Sequence, residues 1–212
     1  MLRVLVGHSA PQQFGTFLEG LASHPSIEIL GVAQTGHEVA NNLKGGEVDT
    51  FLFPSDWCQL TRMIVTTIGT EAVADTSCVV AAPTPSPAQL VKALLYGFDG
   101  LVSTTDAPNE VATYLDAVNA GTSDLLDHPL VSDLGLNPGV LQRNLLPVDD
   151  VTNEVVELVG SGLTDADIAT ALRMTPQDVR NRIEAAMVLN GLTHRTQLAI
   201  LQVLNWRVPD FR

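Results

Sequence analysis

The first 120 residues alternate between two hydrophobic periods. Five short, mostly apolar runs have the length of β-strands, and they occupy residues 2–6, 27–32, 50–53, 78–82 and 100–103. Between these runs, apolar residues recur three and four positions apart, which is the spacing of amphipathic helices. Strands that alternate with helices require right-handed crossovers, so the pattern predicts an α/β fold with a five-stranded, parallel, doubly wound sheet. Any chemistry in such a sheet gathers at the carboxyl ends of its strands.

The pattern changes after Gly121. The following 25 residues contain prolines and no sustained period, which is typical of a linker with room for a short helix. Beyond it, capping threonines and terminating glycines delimit four helices, over residues 152–161, 164–172, 175–189 and 193–203, with Thr193 as the cap of the last. We therefore predict an α/β domain at residues 1–121, a linker at 122–146 and an all-α domain at 147–212.

The composition is that of a globular protein. The chain of 212 residues is 45% hydrophobic, with a mean hydropathy of +0.20, which is enough to build a core. No apolar stretch approaches the ~20 residues of a membrane-spanning helix, and residues 1–7 lack the long apolar segment of a signal peptide. We expect a cytoplasmic protein with no membrane partner. Cys58 and Cys78 lack the spacing of metal ligands, so we expect no metal and no other cofactor.

The charge narrows the possible partners. The formal net charge is −13 at pH 7, so the long-range field repels nucleic acid and anionic membranes. Any contact with DNA must therefore be local and specific.

The stretch LVGHSAP, residues 5–11, allows two interpretations. One is the nucleophile turn of a hydrolase, with Ser9 at its tip, because GxSxG places a serine on a strained turn after a strand. The second glycine is replaced by Pro11, however, and no earlier strand exists to supply an oxyanion hole. No Asp-then-His pair follows at strand ends either. We therefore favour the other interpretation, a strand end where an acidic metal site has been lost, and we predict no enzymatic activity.

The C-terminal sequence carries a resemblance. The phrase GSGLTDADIATALRMTPQDVRNRI, followed by LNGLTHRTQL, resembles the DNA-binding domain of response regulators of the LuxR/FixJ type. The residues in register are Gly162, Ile168, Ala169, Val179, Gly191, Arg195 and Thr196. The phrase AVNAG, residues 117–121, is similar to the family's last receiver helix. The resemblance covers nearly the whole chain, and it implies a flavodoxin-like receiver domain followed by a four-helix helix-turn-helix domain.

The same resemblance implies that the receiver domain is degenerate. The family's acidic pair for Mg²⁺ falls on Gly7 and His8, and its phospho-accepting aspartate falls on Pro54. The assisting hydroxyl residue falls on Ala81 and the lysine on Thr104. Phosphoryl transfer needs a nucleophilic oxygen, and the developing charge needs a hard cation and a lysine. We therefore predict that the chain is not phosphorylated, since the nearby Asp56 is displaced by two residues and lacks the other groups.

What the altered pocket does is left open by the sequence. The preferred interpretation is that its apolar lining closes and locks one conformation; the alternative is that it binds a small ligand, with residues 81–87 as a wall. We interpret His8 and Ser9 as a turn in which Ser9 or a nearby residue starts the first helix.

The resemblance also assigns residues to DNA. Those expected to read bases or hold the phosphate backbone are Thr175, Gln177, Arg180, Asn181, Arg182, Thr193 and Arg195. Arginine can donate two hydrogen bonds to guanine, and asparagine or glutamine can pair with adenine. The competing interpretation is that Arg180 and Arg182 are ordinary solvated helix residues.

The net charge of the second domain leaves two functions open. From residue 147 onward six arginines face nine acidic residues, a net charge of −3, whereas DNA-binding domains are usually basic. Ala185, Val188 and Leu189 lie where the family often has lysine or arginine, which indicates a buried contact. We predict a dimeric transcriptional regulator that binds double-stranded DNA without phosphorylation; the alternative is a protein-interaction module with a vestigial helix-turn-helix that docks a protein partner.

Overall fold

The computed structural model describes residues 1–8, 14–141, 145–146 and 148–206. These residues form two compact units. The first contains residues 1–89 and 96–128, and the second contains residues 90–95 together with the described residues from 129 onward. No described helix is long and apolar enough to cross a membrane.

The first unit is built on a five-stranded parallel sheet. Its strands are β1 (Leu2–Gly7), β2 (Ile27–Ala33), β3 (Thr50–Pro54), β4 (Ser77–Ala82) and β5 (Gly100–Ser103). They lie in the order β2-β1-β3-β4-β5, which is the flavodoxin-like order of a doubly wound sheet. Every residue of β3 is buried, as expected for a central strand covered on both faces. The predicted fold class is confirmed, and each predicted strand agrees with the structure to within one residue at either end.

Helices connect the strands. They are α1 (Gly15–Ala22), α2 (Gly36–Lys44), α3 (Cys58–Ile68), α4 (Pro87–Tyr96) and α5 (Pro108–Asn119). Helices α1 and α5 pack together, as do α2 and α3. Val4 and Val6 of β1 and Leu52 of β3 belong to the core that also contains residues of α1 and α5. Because successive strand residues point to opposite faces, Leu5 and Phe51 are buried on the other side of the sheet.

The predicted linker contains buried residues. A short 3₁₀ helix, Leu125–Asp127, ends the first unit with Leu125 only 2% exposed. Helices α6 (Pro129–Asp133) and α7 (Pro138–Leu141) follow in the second unit. There, the side chain of Gln197 donates a hydrogen bond of 2.6 Å to the carbonyl oxygen of Leu134. The second half of this segment is thus attached to the last helix of its unit.

Four further helices complete the second unit. They are α8 (Asp150–Gly160), α9 (Asp165–Leu172), α10 (Pro176–Leu189) and α11 (Arg195–Trp206). Helix α8 packs against α10 and α11, and α9 packs against α10. The first and last of these helices differ from the sequence-based expectation. Helix α8 begins two residues earlier because the Asp149 carboxylate accepts a hydrogen bond from the Thr152 amide and so acts as the N-cap.

Thr193 is not the N-cap of α11. The helix begins at Arg195, and the side-chain oxygen of Gln197 accepts hydrogen bonds from the backbone amides of Thr193 (2.7 Å) and His194 (3.0 Å). These amides are among the donors that a helix start leaves without an intrahelical partner. The Gln197 side chain therefore accepts hydrogen bonds from backbone amides at the start of α11, a role that the sequence pattern assigned to the Thr193 hydroxyl.

Candidate nucleic-acid interface and the strand-end cluster

The first candidate site is the strand-end cluster, which we define as Gly7, His8, Pro54, Ala81 and Thr104. Gly7, Pro54 and Ala81 are among the last two residues of β1, β3 and β4. His8 directly follows β1 and Thr104 directly follows β5, so all five lie at the carboxyl edge of the sheet. Pro54 is paired with Ala81 across the β3–β4 ladder. The amide of Thr104 donates to the carbonyl oxygen of Ala82 (2.9 Å), and that of His8 donates to Ala33 (2.9 Å). The structure therefore brings the five residues to one edge of the sheet.

Aromatic rings fill the space beside Gly7. A Cβ atom added to Gly7 would lie 2.8 Å from the Phe51 ring and 2.8 Å from the Trp57 ring. Both rings are buried. Such distances are far below normal carbon–carbon contact, so no side chain fits at this position without displacement of an aromatic residue. The space beside Gly7 is therefore filled by packed aromatic surface.

The other positions of the cluster offer little to a cation or a phosphoryl group. Pro54 and Ala81 are buried and have no side-chain oxygen, and Thr104 is half-buried. Asp56 lies in the 3₁₀ helix Ser55–Trp57 after β3, where it is exposed. Within the described residues, no three histidine, cysteine, aspartate or glutamate side chains come together as a metal-binding group.

His8, directly after β1, is a buried ring. It is 4% exposed, and its imidazole meets the Phe14 ring edge-on, with 4.3 Å between the ring centroids. Burial lowers the pKa of His8 from its usual value, and the nearby Asp56 acts in the opposite direction as the smaller cause. A neutral imidazole among apolar side chains suits packing and does not replace a carboxylate. Ser9, predicted to begin the first helix, lies outside the described residues; α1 begins at Gly15, after Phe14.

The buried imidazole makes stability depend on pH. Since the pKa of His8 is lower in the folded chain than in the unfolded chain, the unfolded chain binds more protons as pH falls below about 6.5. We expect the free energy of unfolding to decrease between pH 7.5 and pH 5.5, and to decrease less in His8→Phe. Urea denaturation at the two values measures this, with His37→Gln on an exposed histidine as the control. Equal pH dependence in wild type and His8→Phe would contradict the assignment.

The second candidate site is the N-terminal half of α10. Thr175 is its N-cap, and a capping box links the Thr175 side chain to the amide and carboxylate of Asp178. The Thr175 hydroxyl donates a hydrogen bond of 2.6 Å to that carboxylate, which lowers the pKa of Asp178. The turn between α9 and α10 has three residues, as in a helix-turn-helix. Asp178 thus fixes the start of the helix.

Three predicted reading residues form an exposed row. Arg180 donates a hydrogen bond of 2.9 Å to the side-chain oxygen of Gln177, and the Gln177 side chain donates one of 2.9 Å to Asn181. All three side chains are exposed. We call these residues the polar row. They present a guanidinium and two amides side by side, which are the groups that recognise guanine and adenine in the major groove.

The other two arginines of the prediction are bonded within the protein. Arg182 donates to Asp149 (2.9 Å) and to the hydroxyl of Thr152 (2.7 Å). Arg195 donates to the carbonyl oxygen of Leu163 (2.7 Å) and forms an ion pair with Asp165 (3.4 Å). The structure therefore separates the exposed Arg180 from two arginines that connect helices. The partners of Arg182 were not found from the sequence, although Asp149 ahead of an apolar periodic segment is a recognisable N-cap signal.

The C-terminal end of α10 is apolar and exposed. Val188 is 74% exposed and Leu189 is 47% exposed. Leu146, which is also exposed, is close to this end because its amide donates to the side-chain oxygen of Asn190 (2.7 Å). The sequence indicated a buried contact for Ala185, Val188 and Leu189; all three are exposed in the described chain, so that contact stays a prediction.

Comparisons with known proteins give a structural likeness. Neither the protein-family models nor the curated protein sequences match the chain. The fold is similar to that of the response regulator RcsB of Salmonella typhimurium, described for its conformational dynamism for DNA interaction, at 18% identity over 97% of this chain and 100% of that one (TM-score 0.56). It is similar to RcsB in a complex with DNA, at 18% identity over 98% and 99% of the two chains (TM-score 0.57). A third similar structure has two RcsB dimers bound to two parallel DNAs, at 15% identity over 98% and 99% (TM-score 0.55). This chain therefore has the fold of these response regulators, a flavodoxin-like receiver-type domain with a helical C-terminal domain.

Proposed function

We propose that the chain is a transcriptional regulator that binds double-stranded DNA as a dimer and does not depend on phosphorylation. Residues 1–121 are a degenerate receiver domain, residues 122–146 connect the domains, and residues 147–212 are a LuxR-type helix-turn-helix domain. The observation that carries the proposal is the polar row, Gln177, Arg180 and Asn181, exposed on the helix that follows the helix-turn-helix turn. A recognition helix reads base edges with this half of its length.

Support for DNA and for a dimer also comes from the likeness to RcsB. Two of those structures contain RcsB with DNA, in one case as dimers. A dimer places two recognition helices on half-sites about one helical turn apart, which doubles the readout of a short site. Such pairing suits an acidic chain, because two sets of base contacts supply part of the affinity that a basic surface would gain from phosphate.

The strand-end cluster supports regulation without phosphorylation. Pro54 has no side-chain oxygen to accept a phosphoryl group, and the space beside Gly7 holds the rings of Phe51 and Trp57. A packed apolar edge of this kind favours the locked interpretation of the pocket over the ligand-binding one. We propose that the receiver domain stays in one conformation and that control reaches the chain by another route.

The function is tested by selecting duplexes from a random pool with the purified full-length chain. We expect an enriched sequence that contains guanine and adenine in a repeated half-site, because the polar row can pair with both. Titration of the selected duplex should give an affinity that falls with salt, with a slope of about −0.9 per phosphate contacted. Failure to enrich or retain any duplex at low salt would reject the function.

The protein-interaction alternative is favoured by one observation. Val188 and Leu189 are exposed apolar residues at the end of α10, and such surfaces often mark contacts with other proteins. Under this alternative the chain binds no duplex, and Val188→Asp disrupts its complex with a protein while Arg180→Ala leaves that complex intact. The duplex selection thus separates the two functions.

A further inference from the structure

We infer that Arg182 does not touch DNA and instead positions the recognition helix through a polar clamp. The clamp consists of Asp149, Thr152 and Arg182, and it joins α10 to the start of α8. This inference rests on the proposed function, since it concerns how α10 is presented to a duplex. It removes Arg182 from the predicted base-reading residues and gives Asp149 a role.

The guanidinium of Arg182 is half-buried and bonds to the protein itself. One of its nitrogens donates to the Asp149 carboxylate (2.9 Å) and to the Thr152 hydroxyl (2.7 Å). Thr152 is only 2% exposed, so the arginine reaches a buried acceptor. The Thr152 hydroxyl donates in turn to the second carboxylate oxygen of Asp149 (2.6 Å). Every member of the clamp therefore contacts the other two.

The same carboxylate also fixes the start of α8. Asp149 accepts the Thr152 amide (3.1 Å) as the N-cap of that helix. The hydrogen bonds from Thr152 lower the pKa of Asp149, with the charge of Arg182 as a further cause. A charged Asp149 thus serves two helices at once, and the position of Arg182 on α10 follows from where α8 begins.

The hydrogen bonds of the clamp cross a groove in which the side chains of α8 and α10 do not pack closely. An open groove of about 400 Å³ lies between α8 and α10, with Met174, Asn181 and Ala185 among its lining residues. Asn181 belongs to the polar row as well. A change in the clamp therefore alters the surroundings of a reading residue directly. Because base readout requires correct placement of donors and acceptors, a small rotation of α10 reduces selectivity more than it reduces general attraction to DNA.

The test is the substitution Asp149→Asn, whose effect on affinity has opposite signs under the two roles of Arg182. If Arg182 contacts DNA, loss of the acidic partner frees the arginine and removes a repelling charge, so the affinity for the selected duplex rises. If the clamp positions α10, that affinity falls, and we expect a loss of roughly threefold to tenfold, as for a partly exposed charged hydrogen bond. Asparagine retains the ability to cap α8.

The matched control is Asp150→Asn, which makes the same change of charge one residue away, on an exposed side chain outside the clamp. We expect this variant to bind slightly more tightly than wild type, because it only lowers the repulsion of phosphate. If Asp149→Asn lowers the melting temperature strongly, Thr152→Val replaces it. That variant keeps the amide that Asp149 caps and removes the hydroxyl that bonds to both Arg182 and Asp149, and the same loss of affinity is expected.

Salt dependence and a double-mutant cycle complete the test. We expect Arg182→Ala to weaken binding of the selected duplex with the salt slope unchanged, and to add little when combined with Asp149→Asn. A decrease of about one unit in that slope, or a rise in affinity on Asp149→Asn, would overturn the inference and assign Arg182 to phosphate. A wild-type chain that binds no duplex would instead reject the proposed function itself.

Discussion

Replacement of Gly7 by alanine is expected to destabilise the first unit by about 1–3 kcal/mol, the usual cost of overpacking. The added Cβ would lie 2.8 Å from both the Phe51 and Trp57 rings, and neither ring is at a flexible surface position. Gly7→Asp should cost more, since it places a charged carboxylate against the Phe51 and Trp57 rings. Urea denaturation of the purified variants measures both effects.

Gly31→Ala is the matched control for this substitution. Gly31 lies in β2, and a Cβ atom there meets nothing within 4 Å. We expect its free energy of unfolding to stay within about 0.5 kcal/mol of wild type. Wild-type stability in Gly7→Asp, or a gain in its stability with Mg²⁺, would contradict the packed edge. It would indicate an open pocket that can hold a carboxylate and a cation.

Arg180→Ala is expected to reduce the affinity for the selected duplex by roughly 5- to 150-fold, which corresponds to the about 1–3 kcal/mol of one bidentate contact with guanine. The side chain is exposed and lies beside Gln177 in the polar row, so its truncation should change the free energy of unfolding little. We expect the loss to be specific, with discrimination relaxed at one base pair of the site. Fluorescence anisotropy on the selected duplex and on its single-base variants measures this.

Arg180→Lys separates base reading from general charge. Lysine retains the positive charge but lacks the planar fork of donors, so we expect weak, salt-sensitive binding to persist while selectivity is lost. Unchanged affinity in Arg180→Ala would support the simpler interpretation of a solvated helix residue. An equal loss on all duplexes would place Arg180 on a phosphate.

The elements could be predicted from the sequence because their signals are local. The apolar runs of β3 and β4 contain almost only buried residues, and the Thr175–Asp178 pair carries its own capping geometry within four positions. The predicted N-cap of α11, Thr193, was wrong. The sequence contains both Thr193 and Gln197, and it does not show which of the two side chains bonds to the backbone at the helix start.

The site was only partly predictable, because its decisive contacts are tertiary. Arg182 and Asp149 are 33 positions apart, and no periodicity indicates that one bonds to the other. Arg180 and Arg182 look equivalent in the sequence. The packing of α8 against α10 leaves Arg180 exposed, whereas Arg182 is hydrogen-bonded to the start of α8. Likewise, Gly7 is seen to be indispensable only when the rings of Phe51 and Trp57 are placed beside it.

The dependence of DNA binding on phosphorylation is measured by titrating the selected duplex with the full-length chain, with and without a small phosphodonor and Mg²⁺. We expect the same affinity in both arms and no phosphoryl group on the protein by mass spectrometry, because Pro54 and Ala81 offer no side-chain oxygen at the edge of the sheet. Binding that appears or strengthens only with the phosphodonor, together with a stoichiometric gain of one phosphoryl group, would contradict this account.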